Sequence, residues 1–251
     1  MDLSLHGKTA LVSGSTAGIG FAIAELLAKQ GARVIVNGRT QARVTEAIDR
    51  IRHKAPKADV VGFAADLSST AGVQAIATAF PDVDILVNNL GIYDLKSFEE
   101  LTDEEWTHIY DVNVMSGVRL VRAYLPRLRA SNWGRIIFIS SVVANVATAY
   151  TAHYSATKAA QVVIARGLAE YLAGTQVTVN SVLVGPTETE GNQALVAKHP
   201  EFLKAVVDST LIKRQLHADE IANVVAYLAS EASSGTTGTA LRVDGGAVKH
   251  I

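Results

Sequence analysis

Cysteine is absent from all 251 residues. That removes disulfides, thiolate nucleophiles and zinc–thiolate sites from consideration, and it is compatible with a reducing compartment. An excess of one charge is also missing. The 23 Lys and Arg stand against 24 Asp and Glu, for a net charge of −1, so nothing in the balance favours a nucleic-acid partner. No apolar run reaches the ~20 uninterrupted residues that would span a bilayer. The start, Met1-Asp2-Leu3-Ser4-Leu5-His6, has neither a basic flank nor a long apolar region. No Pro/Gly linker, low-complexity block or fixed-period repeat divides the chain. These absences lead to the expectation of a soluble cytoplasmic protein that acts on a small molecule and has no nucleic-acid or membrane partner.

What is present is apolar. Hydrophobic residues make up 49% and charged residues 19%, which favours one large α/β domain over residues 1–251 rather than two small ones. Short β-branched runs alternate with Ala/Leu-rich stretches, the pattern of a parallel sheet covered on both faces. Strands are predicted at Thr9–Ser13, Arg33–Asn37, Val60–Ala64, Ile85–Asn88, Arg135–Ser140, Val177–Leu183 and Ala240–Val243. They would form a doubly wound, seven-stranded parallel sheet with helices on both faces. Thr102-Asp103-Glu104-Glu105 reads as a capping box for a long helix that carries Asn113 and reaches about Leu125, where Pro126 should disturb the last turns.

Two stretches carry chemistry. Ser141 closes the fifth strand, and Tyr154 and Lys158 open an Ala-rich helical segment. Four residues apart on a helix, Tyr154 and Lys158 share a face. A phenol is a poor acid–base catalyst near neutrality unless its phenolate is stabilised. Lowering its pKa enough requires roughly 4 kcal/mol, within reach of a close ammonium helped by a second cationic group. Ser141 would hold a substrate oxygen beside the phenol, a positioning role rather than a nucleophilic one. A Tyr-x-x-x-Lys pair alone is a common accident, and a solvated helix face is its bland reading.

The second stretch, Gly14-Ser15-Thr16-Ala17-Gly18-Ile19-Gly20, sits between the first strand and a helix that runs to about Gln30, with Gly31 as its stop. Gly14 permits a sharp turn, Gly18 lets backbone approach a pyrophosphate, and Gly20 lets the helix pack closely on the sheet. The helix N-terminus attracts phosphate.

With Gly14, Gly18 and Gly20, Asp66, Asn88-Asn89-Leu90-Gly91, Asn113, Ser141, Tyr154 and Lys158 in one order, the whole chain resembles the short-chain dehydrogenase/reductase family in its compact Rossmann form. The resemblance implies a nicotinamide-dependent carbonyl reductase or alcohol dehydrogenase. Its catalytic residues would be Asn113, Ser141, Tyr154 and Lys158, with Lys158 also binding the nicotinamide ribose and Asn113 holding a water in a proton relay. The spacing to Tyr154 selects Ser141 over Ser140. Ser15, Thr16, Ile19, Asn89, Gly91, Gly185, Thr187 and Thr189 complete the expected cofactor contacts. Asp66 with Leu67 would close the adenine pocket, although Ser68 and Ser69 make a surface helix cap the alternative. Two positions depart from the family's pattern: Leu90 replaces a usual Ala, and Val184 replaces a usual Pro before Gly185.

The second strand ends Val36-Asn37-Gly38-Arg39-Thr40. No carboxylate is there to bind ribose hydroxyls, and Arg39 stands where relatives that use NADP carry a basic residue, so NADP rather than NAD is the expected cofactor. Ala17, where many such relatives have Arg, argues the other way.

Substrate specificity is expected from loops beyond the strand ends: 91–96, 142–153 and 188–215. The last contains an amphipathic stretch, 194–212, that reads either as a lid or as a static surface helix. Small apolar residues over 142–152 suggest a neutral or apolar carbonyl or alcohol substrate. His153 is expected to be structural. Lys and Arg near the lid are too scattered to argue for an acyl-carrier protein. Surplus apolar positions on helices 104–125 and 155–172 suggest a dimer, and the resemblance suggests a tetramer with 235–251 near an interface. The alternative function is a non-catalytic NADP-binding redox sensor; epimerase or dehydratase chemistry is a third, but the longer relatives that perform it carry an additional C-terminal substrate region for which 251 residues are expected to leave no room.

Overall fold

The computed structural model describes residues 3–191 and 200–249. Its strands are β1 (Thr9–Val12), β2 (Arg33–Gly38), β3 (Val60–Ala64), β4 (Ile85–Asn88), β5 (Gly134–Ser141), β6 (Val177–Val184) and β7 (Ala240–Val243). They form one parallel sheet in the order β3-β2-β1-β4-β5-β6-β7. All seven predicted strands are present, with ends moved by a residue at most. The largest consequence is at β6, where Val184 pairs with both Ser141 and Val243. A proline there would have no N–H to give the ladder.

The chain turns outward from β1 in both directions, so β1 and β4 flank the point where strand order reverses. Parallel sheets of this kind open a crevice above that point, at the carboxyl ends of the strands. Successive side chains along each strand feed opposite faces. Ala10, Val12, Ile85, Val87, Ile137 and Ile139 join a core under α1 (Gly18–Lys29), α2 (Gln41–Lys54) and the helix Ala218–Ala229. Leu11, Leu86, Ile136 and Phe138 join another under α3 (Thr70–Ala79) and the helices that follow β4 and β5. Each fully buried aliphatic side chain contributes about 1.5–3 kcal/mol, and this two-sided burial makes the central strands almost wholly apolar.

The helix expected from Thr102 to about Leu125 is built differently. The capping box is present: Thr102 Oγ1 accepts from Glu105 N–H at 3.3 Å, and Glu105 Oε2 accepts from Thr102 N–H at 3.0 Å. α4 (Asp103–Tyr110) then passes into a π turn, Asp111–Met115, before α5 (Ser116–Ser131). Pro126 does not stop α5, which continues to Ser131. Its missing donor affects only the carbonyl of exposed Arg122, which water can satisfy, while buried Tyr124 and Leu128 hold the helix on the core.

α6 (Ala152–Tyr171) follows β5, and α7 (Pro200–Ser209) and α8 (Ala218–Ala229) lie between β6 and β7. The proposed lid over 188–215, and its stretch 194–212, fall partly on residues 192–199, outside the described residues. The same holds for positions 250–251 of the tail. No described helix is long and apolar enough to cross a membrane.

Candidate active site

The glycine turn is locked by residues that themselves see little solvent. Ser15 is fully buried: its hydroxyl donates to the Val12 carbonyl at 2.7 Å and accepts from Asn37 N–H at 3.0 Å. Asn37 Oδ1 accepts from Gly14 N–H, while its Nδ2 donates to the carbonyls of Phe63 and Ala65. From the other side, Asn89 Nδ2 donates to the carbonyls of Ser13 and Gly14, both at 3.0 Å. With Gly14 and Gly18 at positive φ (62° and 56°), the turn delivers the chain to the start of α1. No side chain caps that helix and its first turn holds no acidic residue, so its leading N–H groups are available to an anion.

Above the turn lies a cavity of about 550 Å³. Of the predicted cofactor residues, Gly14, Gly18, Ile19 and Gly20 line it, as do Asn89 and Gly91 after β4 and Gly185, Thr187 and Thr189 after β6. Thr189 lies across Gly18: a methyl on Gly18 would come within 3.4 Å of its Cβ. Ser141, Tyr154 and Lys158 line the same cavity. Ser15, Thr16, Arg39, Asp66 and Leu67 do not. The first is a correction, because the Ser15 side chain is spent inside the turn. So is Leu67, which is buried in the core under α3 and offers no apolar cover. Asp66 Oδ1 accepts from the Ser68 N–H and hydroxyl at 3.0 and 2.7 Å, while the cap of α3 is Ser69, whose hydroxyl accepts from Gly72 N–H. The Ser68 hydroxyl holds the carboxyl below its usual range, with a smaller pull from Arg39. Arg39 is exposed at the end of β2.

Ser140 and Ser141 separate cleanly. The Ser140 hydroxyl donates to the Lys158 main-chain carbonyl at 2.8 Å, whereas the Ser141 hydroxyl donates to the Val184 carbonyl at 3.3 Å and neighbours the Tyr154 phenol. Lys158 Nζ lies 5.5 Å from the Tyr154 ring centroid and donates to the Ile139 carbonyl at 2.8 Å. The electrostatics run against the expected acidic phenol. Burial pushes the Tyr154 pKa up, the Ser141 hydrogen bond only partly opposes it, and neighbouring Tyr93 adds to the rise. Burial alone lowers Lys158 to about 8. Desolvation outweighs the attraction between the two groups.

Asn113 stands behind the cavity, on the π turn. Its Oδ1 accepts from Ile92 N–H, and its Nδ2 donates to the Ile92 carbonyl and the Thr157 hydroxyl. That side chain therefore ties the loop after β4 to α6. The Asn113 main-chain carbonyl accepts from Gln161 Nε2 at 2.6 Å, which leaves one lone pair for another donor.

Three residues not singled out in the sequence belong to this machinery. Gln161 is one turn beyond Lys158 on the same helix face, a spacing that would have flagged it. Asn37 lies in a segment read only for charge. Tyr93, in the loop after β4, has its ring centroid 5.7 Å from that of Tyr154; no periodic pattern points to it. His153 is buried against Trp106, with ring centroids 6.0 Å apart, in the structural position expected. Among the described residues no cluster of side chains could hold a metal ion.

The beyond-strand loops supply the rest of the cavity: Leu95, Val142, Val143 and Val146, with Leu203 and Val206 from α7. Among the described residues Asp94 and Lys158 are the charged ones in the lining, and Tyr93, Thr148 and Gln215 are among its neutral polar ones.

A family model described as enoyl-(acyl carrier protein) reductase matches residues 14–248. An uncharacterized oxidoreductase of Bacillus subtilis, YvaG, is 43% identical with full coverage of both chains. The 3-oxoacyl-[acyl-carrier-protein] reductase FabG of Vibrio cholerae is 36% identical over 97% of this chain and 98% of that one. Among solved structures, L-sorbose reductase from Gluconobacter frateurii, complexed with NADPH and L-sorbose, superposes with a TM-score of 0.92. It is 33% identical, with full coverage of both chains.

Proposed function

The chain belongs to the short-chain dehydrogenase/reductase family, oxidoreductases of alcohols and carbonyl compounds, and from that premise we propose that it reduces a ketone or aldehyde reversibly with NADPH, Tyr154 supplying the proton. The observation that carries the reading is one cavity lined at one end by an uncapped helix N-terminus and glycine turn, and at the other by Ser141, Tyr154 and Lys158. A dinucleotide fits this donor set: the positive-φ glycines leave the backbone bare, and a Cβ on Gly91 would meet Lys158 Nζ at 3.5 Å, so the amine borders the space a ribose needs. When bound, the reduced nicotinamide supplies the hydride.

The chain's own residues do the rest. Ser141 fixes the carbonyl oxygen beside the phenol, and Tyr154 gives that oxygen its proton as negative charge develops. A phenol held in its protonated form by burial is in the state that reduction requires. Lys158 holds positive charge beside the phenolate left behind. Arg39 supports NADP over NAD, since it stands at the end of β2 with no carboxylate in its segment. The apolar wall from Leu95 to Val146 and from α7 supports a neutral or apolar substrate, and α7 would act as part of a lid. The complete set of Asn113, Ser141, Tyr154 and Lys158 weighs against a non-catalytic sensor. The exposed apolar Val163 and Tyr171 on α6 support a homo-oligomer.

A panel of apolar ketones and secondary alcohols, followed by NADPH absorbance, tests the proposal. Tyr154→Phe should lower kcat at least a hundredfold while NADPH still binds. Full turnover by that variant on a true substrate would end the proton-donor assignment.

A further inference from the structure

The π turn Asp111–Met115 widens the helix by running a bond from Ser116 N–H back to the Asp111 carbonyl. Such a turn disturbs the regular i→i−4 ladder and leaves carbonyls seeking other partners. Side chains take two of them. The Ser116 hydroxyl donates to the Val112 carbonyl at 2.6 Å, and Gln161 Nε2 donates to the Asn113 carbonyl, also at 2.6 Å. The other end of the Gln161 amide, Oε1, accepts from Lys158 Nζ at 3.2 Å. Gln161 is 2% exposed, so both ends of the amide are desolvated and both are satisfied. Only one orientation of the amide meets a donor at one end and an acceptor at the other.

We infer that Gln161 is a positioning residue: its amide bridges the Lys158 amine to the Asn113 main-chain carbonyl, fixing where the ammonium sits behind Tyr154. The inference rests on the proposed reductase reading of the same site. The amine has three donors. One goes to the Ile139 carbonyl on β5 and one to Gln161, which leaves the third for the cavity side, where Tyr154 and Gly91 lie. An amide in this bridge has no labile proton to pass on, as a hydroxyl or water would.

Among the described residues the groups facing the amine are the Ile139 carbonyl, Gln161, the Tyr154 ring and, close by, the Gly91 backbone. Among the described residues no charged side chain contributes to its depressed basicity. Gln161 is thus the neighbour through which its ionisation can be tuned. Gln161→Met keeps the length and removes both hydrogen bonds, and Gln161→Glu keeps the acceptor and adds a negative charge. In NADPH-dependent reduction the basic limb of the kcat/KM profile should move to lower pH in Gln161→Met and to higher pH in Gln161→Glu. kcat should fall about tenfold in Gln161→Met, with the KM for the carbonyl substrate changed less than threefold. A residue that merely packs would lower stability in both variants and leave the limb in place, and that result overturns the inference.

A second measurement needs no activity. A double-mutant cycle of Lys158→Met and Gln161→Met in urea unfolding of the cofactor-free protein should be non-additive by about fivefold or more in the unfolding constant at pH 7. The coupling should shrink at pH 10.5, where the amine is neutral. An additive cycle at pH 7 overturns the bridge. A coupled cycle in a protein that turns over no carbonyl compound overturns only the reductase reading.

Discussion

Gly20→Ala puts the architecture of the glycine turn to a quantitative test. A methyl at Gly20 would sit 2.4 Å from Asn89 Nδ2 and 2.5 Å from the Gly14 carbonyl oxygen, both well inside van der Waals contact. Neither neighbour is free to yield. The Asn89 amide is pinned by two 3.0 Å hydrogen bonds to the Ser13 and Gly14 carbonyls, and Gly14 is backbone of the turn itself. Relief means losing both bonds, about 1 kcal/mol each, and displacing packed atoms, another 1–3 kcal/mol or so. Helix propensity returns about 1 kcal/mol to the alanine. The net loss should be about 2–4 kcal/mol in urea unfolding. NADPH titrated by fluorescence should bind at least tenfold more weakly, because the turn itself must open. Gly167→Ala is the control: also helical, but exposed and with no heavy atom within 4 Å of the added methyl. It should leave NADPH affinity unchanged. If Gly20→Ala unfolds at the wild-type urea concentration and binds NADPH as tightly, the close approach of turn, Asn89 and helix has been misassigned.

Three further outcomes follow from the same geometry. Arg39→Ala should raise the KM for NADPH far more than that for NADH in steady-state assays, and equal effects on both would refute the 2′-phosphate role. Burial lowers the Lys158 amine from 10.5 to about 8. Below pH 8 the folded and unfolded chains both carry the charge, so the folded state bears the whole cost of burying it. Between pH 8 and 10.5 the unfolded chain binds more protons, and stability rises with pH. Measured against Lys158→Met in the cofactor-free protein, wild type should gain about 3 kcal/mol from pH 7 to pH 10.5, and a difference independent of pH would contradict the burial argument. Light scattering should return a dimer or tetramer, and Val163→Glu combined with Tyr171→Glu, on residues 70% and 60% exposed, should reduce its size. A wild-type monomer would sink the oligomer reading.

The seven strands and the helix that starts at Gly18 could be read from the chain because local pattern and tertiary need agree there. Buried central strands demand β-branched runs, and a turn at positive φ favours glycine. The helix from Thr102 was only half legible. Its capping box is a local device that sequence displays, but the π turn at Asp111–Met115 is held by Gln161, 48 residues downstream of Asn113, and no local rule announces such a partner. Ser15 and Leu67 were misread for a related reason. Both sit in stretches expected to border a cofactor, yet Asn37 and the core under α3 respectively claim their side chains.

By itself the sequence determined the parallel sheet, the glycine turn and the placing of Tyr154 and Lys158 on one helix face, since each depends on spacing of a few residues along one element. Tertiary structure decided what those side chains are worth. The phenol and the amine share a helix face, as their spacing requires, but the desolvation that pushes their ionisation in opposite directions comes from β5, the loop after β4 and the π turn packed around them. Solvation and long-range hydrogen bonding depend on distances in space between residues far apart in the chain, which no local spacing encodes.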